Sequence, residues 1–306
     1  MKKTKLINFL TKTRFSFTLL ISLTSLIGCS SADEENWISL FNGKDLTGWD
    51  IKIVGLKLND NYKNTFTVED NMLRVKYDEY TNFDNKFGHL YYKTPYSYYK
   101  LAFDYRFVGE QIEGGFKSNI RNSGIMLHSQ AATSNKNNQN FPVSVELQLL
   151  GGLNDNKERT TANVCTPGTA VVMGDTINYK HCISSSSKTY YGDQWVHAEA
   201  IVHGGESMVF IVENDTVLKF KNPQIGASKR NKYYRGENWK KWGMDENDWV
   251  HKEGEIIDSG YIALQAESHP VDFKNIQLLD LCGCTDPKAK NYKSYYVKNK
   301  PSDCKY

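Results

Sequence analysis

Leu101, Phe103, Tyr105 and Phe107 alternate with Ala102, Asp104 and Arg106. A period of two of this kind puts one apolar row on one side of an extended chain and suits a strand with one buried face. The pattern recurs in short runs along most of the chain, and hardly any stretch shows the 3.6-residue period of an amphipathic helix. Phe66 and Val68 lead through Glu69-Asp70-Asn71 into Leu73 and Val75, which reads as a hairpin. A second hairpin is expected at Glu213-Asn214-Asp215, between SMVFIV and TVLKF. Frequent aromatic and β-branched residues and only 7 prolines complete the case for an all-β chain, an antiparallel β-sandwich. Two stretches lack alternation and are expected to be long loops: NNQN before Phe141, and Gln224 to Glu255. The second contains Tyr233, Tyr234, Trp239, Trp242 and Trp249 among charges, and long ordered loops in compact domains are often functional.

The N-terminus follows different rules. Lys2, Lys3, Lys5, Lys12 and Arg14 precede an apolar run, Phe15 to Ile27, that is too short to span a bilayer and reads as an export signal. It ends in Leu26-Ile27-Gly28-Cys29, which resembles a bacterial lipobox, so residues 1–28 are expected to be a lipoprotein signal peptide and Cys29 the lipid-bearing residue. Residues 29–36, rich in Ser, Asp and Glu, follow as an acidic tether, similar to the surface-export signals of Bacteroidetes lipoproteins. The expectation is an outer-membrane lipoprotein, periplasmic or surface-exposed, held to the membrane by its lipid. Loss of the five basic residues of the leader takes the formal charge from +3 to about −2. A nearly neutral chain without basic runs argues against nucleic acid as a partner.

Six cysteines in an exported chain favour disulfides over metal sites. With Cys29 lipidated, five remain. Cys165 and Cys182 bound one short loop, Cys284 and Cys304 another, and each pair can close at modest entropic cost. Cys282 competes with Cys284 for Cys304, so the connectivity stays open. Residues 282–306 read as a Cys-bounded tail, a stapled appendage to the main domain at 37–281.

Three alternating runs offer polar rows opposite their apolar ones. In SVELQLL, Val145, Leu147 and Leu149 face inward, leaving Ser144, Glu146 and Gln148 on the other side. In NSGIMLHS the outer row is Asn122, Gly124, Met126 and His128, and in GYIALQAE it includes Gln265 and Glu267. If these strands are neighbours, the rows converge on one polar cleft. Amides beside carboxylates and imidazoles match sugar hydroxyls, which both donate and accept hydrogen bonds.

The blocks WISLFNGKDLTGW, NSGIMLHSQ, FPVSVELQLLGG, GDQWVHAEA and GYIALQAESHPVDFKNIQLLDL, in this order from Trp37 to Leu281, resemble the successive signatures of the 3-keto-disaccharide hydrolase family. CTPGTAVVM and HCISSSSKTYYGDQW resemble a subset of it, consistent with a Cys165–Cys182 staple. The resemblance implies a concanavalin-like jelly roll acting on glycosides oxidised at C3. The chain departs from the family pattern at His128 and Lys274, where arginine is common.

A C3 ketone acidifies the proton on C2. A base then forms an enolate that expels the C1 substituent, and water adds across the double bond. The chemistry needs one base of near-neutral pKa and a hydrogen-bonding group at the C3 oxygen. His269 is the expected base or acid, with Glu146 as its partner or as the base itself, and His128 as the alternative. Asn122, Gln148, Gln265 and Glu267 are the expected substrate binders, with Trp239 and Trp242 as sugar-stacking platforms. A divalent metal on His128, Glu146 and His269, or calcium on Asp245, Glu246 and Asp248, are further options. The competing functions are a non-catalytic lectin-like module, with Trp239, Trp242 and Trp249 stacking on sugars, and an assembly protein that displays a binding surface.

Finally, the strand pattern from Gly260 to Leu281 breaks at Glu267-Ser268-His269-Pro270 and resumes out of phase. The expected causes are a turn at the cleft rim and a bulge near Lys274-Asn275 that lets Phe273 and Ile276 both reach the core.

Overall fold

The computed structural model describes residues 34–226 and 242–306. The leader, Cys29 and most of the acidic tether, together with Tyr233, Tyr234 and Trp239, lie outside the described residues. Two antiparallel sheets dominate. The first has seven strands in the order Cys182–Ile183, Asn163–Cys165, Val145–Leu150, Asn122–Ser129, Tyr261–Ala266, Gly88–Tyr92 and Trp49–Ile53. The second has ten strands, centred on Val196–His203, Tyr98–Phe107 and Val271–Asp280.

The inward rows of both sheets meet in a single core. Ile125, Leu127, Val145, Leu147 and Leu264 of the seven-stranded sheet join Leu101, Phe103, Tyr105, Ala200 and Phe273 of the other. This is the β-sandwich of jelly-roll type that the alternation and the resemblance imply.

Local chemistry places the turns where they were expected. Asp70 and Asn71 take positive φ between Phe66–Glu69 and Met72–Val75, as do Glu213 and Asn214 between Ser207–Val212 and Asp215–Ile225. Paired positive φ values are what a two-residue hairpin turn demands, and Asn and Asp tolerate them well. The strand register shifts between Lys274 and Gln277, with Asn275 at φ 52°. Phe273 and Ile276 are both buried, as the expected bulge requires.

The break at Glu267–Pro270 has a larger cause than a rim turn. Tyr261–Ala266 belongs to the seven-stranded sheet and Val271–Asp280 to the ten-stranded one, so these four residues carry the chain from one layer to the other. The Tyr77 hydroxyl accepts a hydrogen bond from the Ser268 amide at 2.8 Å, and the Ser268 and Pro270 carbonyls accept from Ile112 and Val108.

Both cysteine pairs form, Cys165–Cys182 and Cys284–Cys304, and Cys282 is free. The tail packs through Cys282 and Tyr295 against Trp37, Tyr98 and Leu281. In the region expected as one long loop, Asp215–Ile225 continues as strand past Gln224, and the described residues after it hold short 3-10 turns at Glu246–Asp248 and Val250–Lys252.

Candidate active site

The outer face of the seven-stranded sheet carries a pocket of about 240 Å³ lined by Asn122, Glu146, Gln148, Gln265 and Glu267 among others. Residues far apart in the chain meet here because their strands pair. Met126 lies opposite Glu146, Gly124 opposite Gln148, and Gln148 opposite Asn163. Directly opposed residues in an antiparallel pair project to the same side. The expected convergence therefore holds for five of the candidate residues.

Gly124 makes the arrangement possible. A Cβ at this position would lie 2.3 Å from Glu146 Oε1 and 2.9 Å from Glu146 Cδ. The Glu146 carboxyl thus leans over the strand beside it, through space that any other residue would fill.

Neither carboxylate has a cation in ion-pair contact among the described residues. Glu146 is 5 % exposed and Glu267 6 % exposed. Burial pushes Glu146 up to about 8. Burial also raises Glu267 well above the ordinary carboxylate range, and the nearby charge of Glu146 adds to this, against a smaller opposing influence of Arg159. The Asn122 amide donates to Glu267 Oε2 at 2.8 Å and fixes that carboxyl. Asn163 donates to Gln148 Oε1 at 3.1 Å.

Around the acids, hydrogen-bonding atoms are left over. Both side-chain polar atoms of Gln265, Oδ1 of Asn122 and Nδ2 of Asn119 are buried in the pocket lining without a partner. Unsatisfied buried polar atoms are uncommon in folded proteins, and several at one pocket mark a surface shaped for a polar ligand. His89 lies directly opposite Gln265 in the sheet, and burial holds its imidazole neutral, down at about 3. Sequence reasoning missed it, although Leu90 of FGHLYY faces the core and that alternation sets His89 on the cleft side.

Two of the expected catalytic residues are placed elsewhere. His128 is turned away from the cleft row by a bulge between its strand and Tyr261–Ala266, and its φ is 46°. Its ring packs edge-on to Tyr99 of the core, with Nδ1 3.1 Å from the Ile257 carbonyl and Nε2 3.2 Å from the Ser97 carbonyl. His269 sits past the start of the sheet crossing, edge-on to Phe107 at 5.7 Å. Burial, with the positive charges of Arg121 and Arg159, depresses it to about 4, and neither ring nitrogen makes a hydrogen bond. Neither of these two histidines lines the pocket.

The metal options change accordingly. Among the described residues no three His, Cys, Asp or Glu side chains are grouped to hold a metal ion, and His128, Glu146 and His269 are not assembled into a ligand set. Asp248 pairs with Lys136, and Asp245 accepts hydrogen bonds from Asn247.

A second cavity of about 510 Å³ adjoins the first, and both are lined by Ser118, Asn119, Phe141, His181 and Glu267. Trp242 belongs to this outer cavity, 5.9 Å from Phe141 and 4.9 Å from His181 by ring centroids. Trp249 instead packs against a small apolar cluster that includes Met244 and Val143. Arg159, also absent from the sequence reading, donates to the carbonyls of Ile120, Arg121 and Gly151 and anchors the loops at the crossing end.

Among solved structures the chain is similar to two candidate glycosyl hydrolases from Parabacteroides distasonis. One is 14% identical over 79% of this chain and 98% of that one, with a TM-score of 0.46; the other is 17% identical over 80% and 93%, with a TM-score of 0.43. It is also similar to a carbohydrate-binding module from Bacillus subtilis, 8% identical over 76% and 96%, with a TM-score of 0.41. No curated protein matches the chain. Residues 36–279 match the 3-keto-alpha-glucoside-1,2-lyase-like domain, and the chain belongs to that family of 3-keto-disaccharide hydrolases.

Proposed function

We propose that the protein cleaves 3-keto-glycosides by elimination and hydration, with Glu146 as the base and Glu267 as the acid. The observation that supports the roles is their placement. Glu146 lines only the inner pocket, whereas Glu267 lines both cavities. A sugar ring bound in the inner pocket has its C2 proton toward Glu146 and its glycosidic oxygen at the boundary, where Glu267 stands.

Burial raises Glu146 to about 8, and it raises Glu267 well above the ordinary carboxylate range with the charge of Glu146 adding to the effect, so both groups are displaced in the direction that suits proton transfer. In the first step Glu146 takes the C2 proton, the C1–C2 double bond forms, the C1–O bond breaks, and Glu267 protonates the departing oxygen. In the second, Glu267 takes a proton from the water that adds to C1, and Glu146 returns its proton to C2. Both groups regain their starting states, and the sum is hydrolysis. Gln265, whose side-chain amide is unpartnered in the pocket lining, is the donor for the C3 oxygen on which negative charge develops.

The export reading joins this as a proposal: a lipid on Cys29 would hold the enzyme at the outer membrane. Among the described residues no helix is long and apolar enough to cross a membrane. The test of function is turnover of a 3-keto-disaccharide by the wild type and by Glu146→Gln and Glu267→Gln. Retained sugar binding with no cleavage of any oxidised substrate by the wild type would replace this reading with a lectin-like one.

A further inference from the structure

The outer cavity holds more than twice the volume of the inner pocket and carries more aromatic side chains in its lining. Its walls include four aromatic rings, Phe87, Phe116, Phe141 and Trp242, and among the described residues Glu267 at the junction and His181 are its titratable lining groups. The rings form a connected set. Phe87 and Phe141 lie 5.1 Å apart, Phe141 and Trp242 5.9 Å apart at 86°, and Phe87 and Phe116 are nearly parallel at 16°. Phe116 is 52 % exposed, a large apolar side chain left open to solvent at this cavity.

We propose that this outer cavity is the leaving-group subsite and that it takes a planar aromatic aglycone bearing hydroxyls, in preference to a second sugar ring. The proposal rests on the functional reading above, because that reading places the glycosidic oxygen at Glu267. A flat aromatic ring meets aromatic walls by offset stacking or edge-to-face contact. A pyranose in the same place has a hydroxyl on most of its carbons, and each one set against a phenyl wall loses water without a replacement hydrogen bond. The polar lining includes Asn85, Ser118, Asn119 and Asn140, and Asn119 Nδ2 is buried and unpartnered. A few amide donors and acceptors suit the peripheral hydroxyls of a phenolic ring better than the full set on a sugar.

The test compares two oxidised substrates of the same anomeric configuration, a 3-keto-glucoside of a naphthol and a 3-keto-disaccharide, with each rate divided by that of its uncatalysed elimination. The wild type is expected to favour the naphthyl substrate by at least tenfold in this corrected kcat/KM. Phe116→Ala alters an exposed side chain, so the variant is expected to fold. It should raise KM for the naphthyl substrate by about tenfold with little change in kcat, and KM for the disaccharide by less than threefold. Equal corrected rates, or a loss in Phe116→Ala shared alike by both substrates, would overturn the proposal.

Binding of the unoxidised naphthyl glucoside, measured by calorimetry, separates the two levels of inference. If nothing is cleaved but the naphthyl glucoside binds and Phe116→Ala weakens it about tenfold, the aromatic subsite stands and the catalytic reading falls. If it binds no more tightly than an unoxidised disaccharide, the subsite falls whatever the catalytic result.

Discussion

The two sheets each bury carboxylates near their outer faces and treat them in opposite ways. On the ten-stranded sheet, Asp272 is 1 % exposed and is held by two guanidinium groups, Arg74 Nε at 2.8 Å and Arg106 Nη2 at 2.9 Å. At the seven-stranded sheet, Glu146 and, just past the end of Tyr261–Ala266, Glu267 are almost as buried but have each other and, among the described residues, no cation in contact. A buried acid with its charge matched is a fastener. Two buried acids with charge unmatched are a cost to the fold, and their raised pKa values bring proton transfer within reach of neutral pH.

The strongest way to break this contrast is to neutralise the unmatched acids. Glu146→Gln and Glu267→Gln should each lower turnover of a 3-keto-glycoside by roughly 10²- to 10⁴-fold, read as kcat at saturating substrate. Their effect on stability should have the opposite sign. Below the ordinary carboxylate value of 4.5, residue 146 is protonated in both folded and unfolded chains and contributes nothing. Between 4.5 and about 8 the unfolded chain ionises first and the folded state loses stability as pH rises. Glu146→Gln should therefore gain stability over the wild type as denaturation is moved from pH 5 to pH 8. A Gln variant that is less stable at pH 8 than at pH 5, relative to wild type, would mean that the carboxylate is charged and matched after all. The rate profile follows from the same pair. Activity should rise toward the alkaline side of neutrality as one proton leaves and fall when the second goes, the two apparent values belonging to the pair rather than to either residue.

Neutralising the matched acid should do the reverse. Asp272→Asn leaves Arg74 and Arg106 facing each other across a site built for one negative charge. Both arginines are about a quarter exposed, which softens the penalty. A loss of about 3 kcal/mol is expected, measured by urea unfolding, with kcat per folded molecule within twofold of wild type. Loss of turnover without loss of stability would place Asp272 in the working site and erase the distinction between the sheets.

Alternation along the chain made most of the architecture legible, because burial on one face imposes a period of two wherever a strand runs unbroken. The hairpin at Asp70-Asn71 and the bulge at Asn275 were readable for the same reason: the first from residues that tolerate positive φ, the second from a change of phase between Phe273 and Ile276. The pocket lining was legible in Glu146, Gln148, Asn122, Gln265 and Glu267, whose parity is the cleft's. His128 and His269 lie outside that lining, for a physical cause. One bulged residue reverses parity for all that follows, and nothing in HLYYK, NSGIMLHS or ESHP announces which insertion will occur. His89 was readable by the same parity rule, but a single histidine between a glycine and a leucine carries little signal until Gln265 is known to lie across from it. The sheet crossing at Glu267–Pro270 depends on which strand each neighbour pairs with, a choice made between segments more than a hundred residues apart.

The smallest expected effects test the comparison inside a single strand, Asn122–Ser129, whose two ends have different tasks. At the cleft end, Gly124→Ala introduces a methyl group against the Glu146 carboxyl. Gly124 does not have a positive φ, so the backbone accepts alanine, and the side chain of Glu146 can yield by swinging aside. The fold should survive with little loss of stability while kcat falls by about ten- to a hundredfold, since displacing a reacting group by an ångström or so costs on that order. At the other end, His128 bridges toward the Ser97 and Ile257 carbonyls from a left-handed backbone. His128→Ala should cost about 1–2 kcal/mol for the hydrogen bonding lost at a buried position, with turnover per folded molecule within twofold. An inversion of this pair, with Gly124→Ala harmless to kcat and His128→Ala abolishing it at full stability, would move the reacting centre to the bulged end of the strand and away from the two carboxylates.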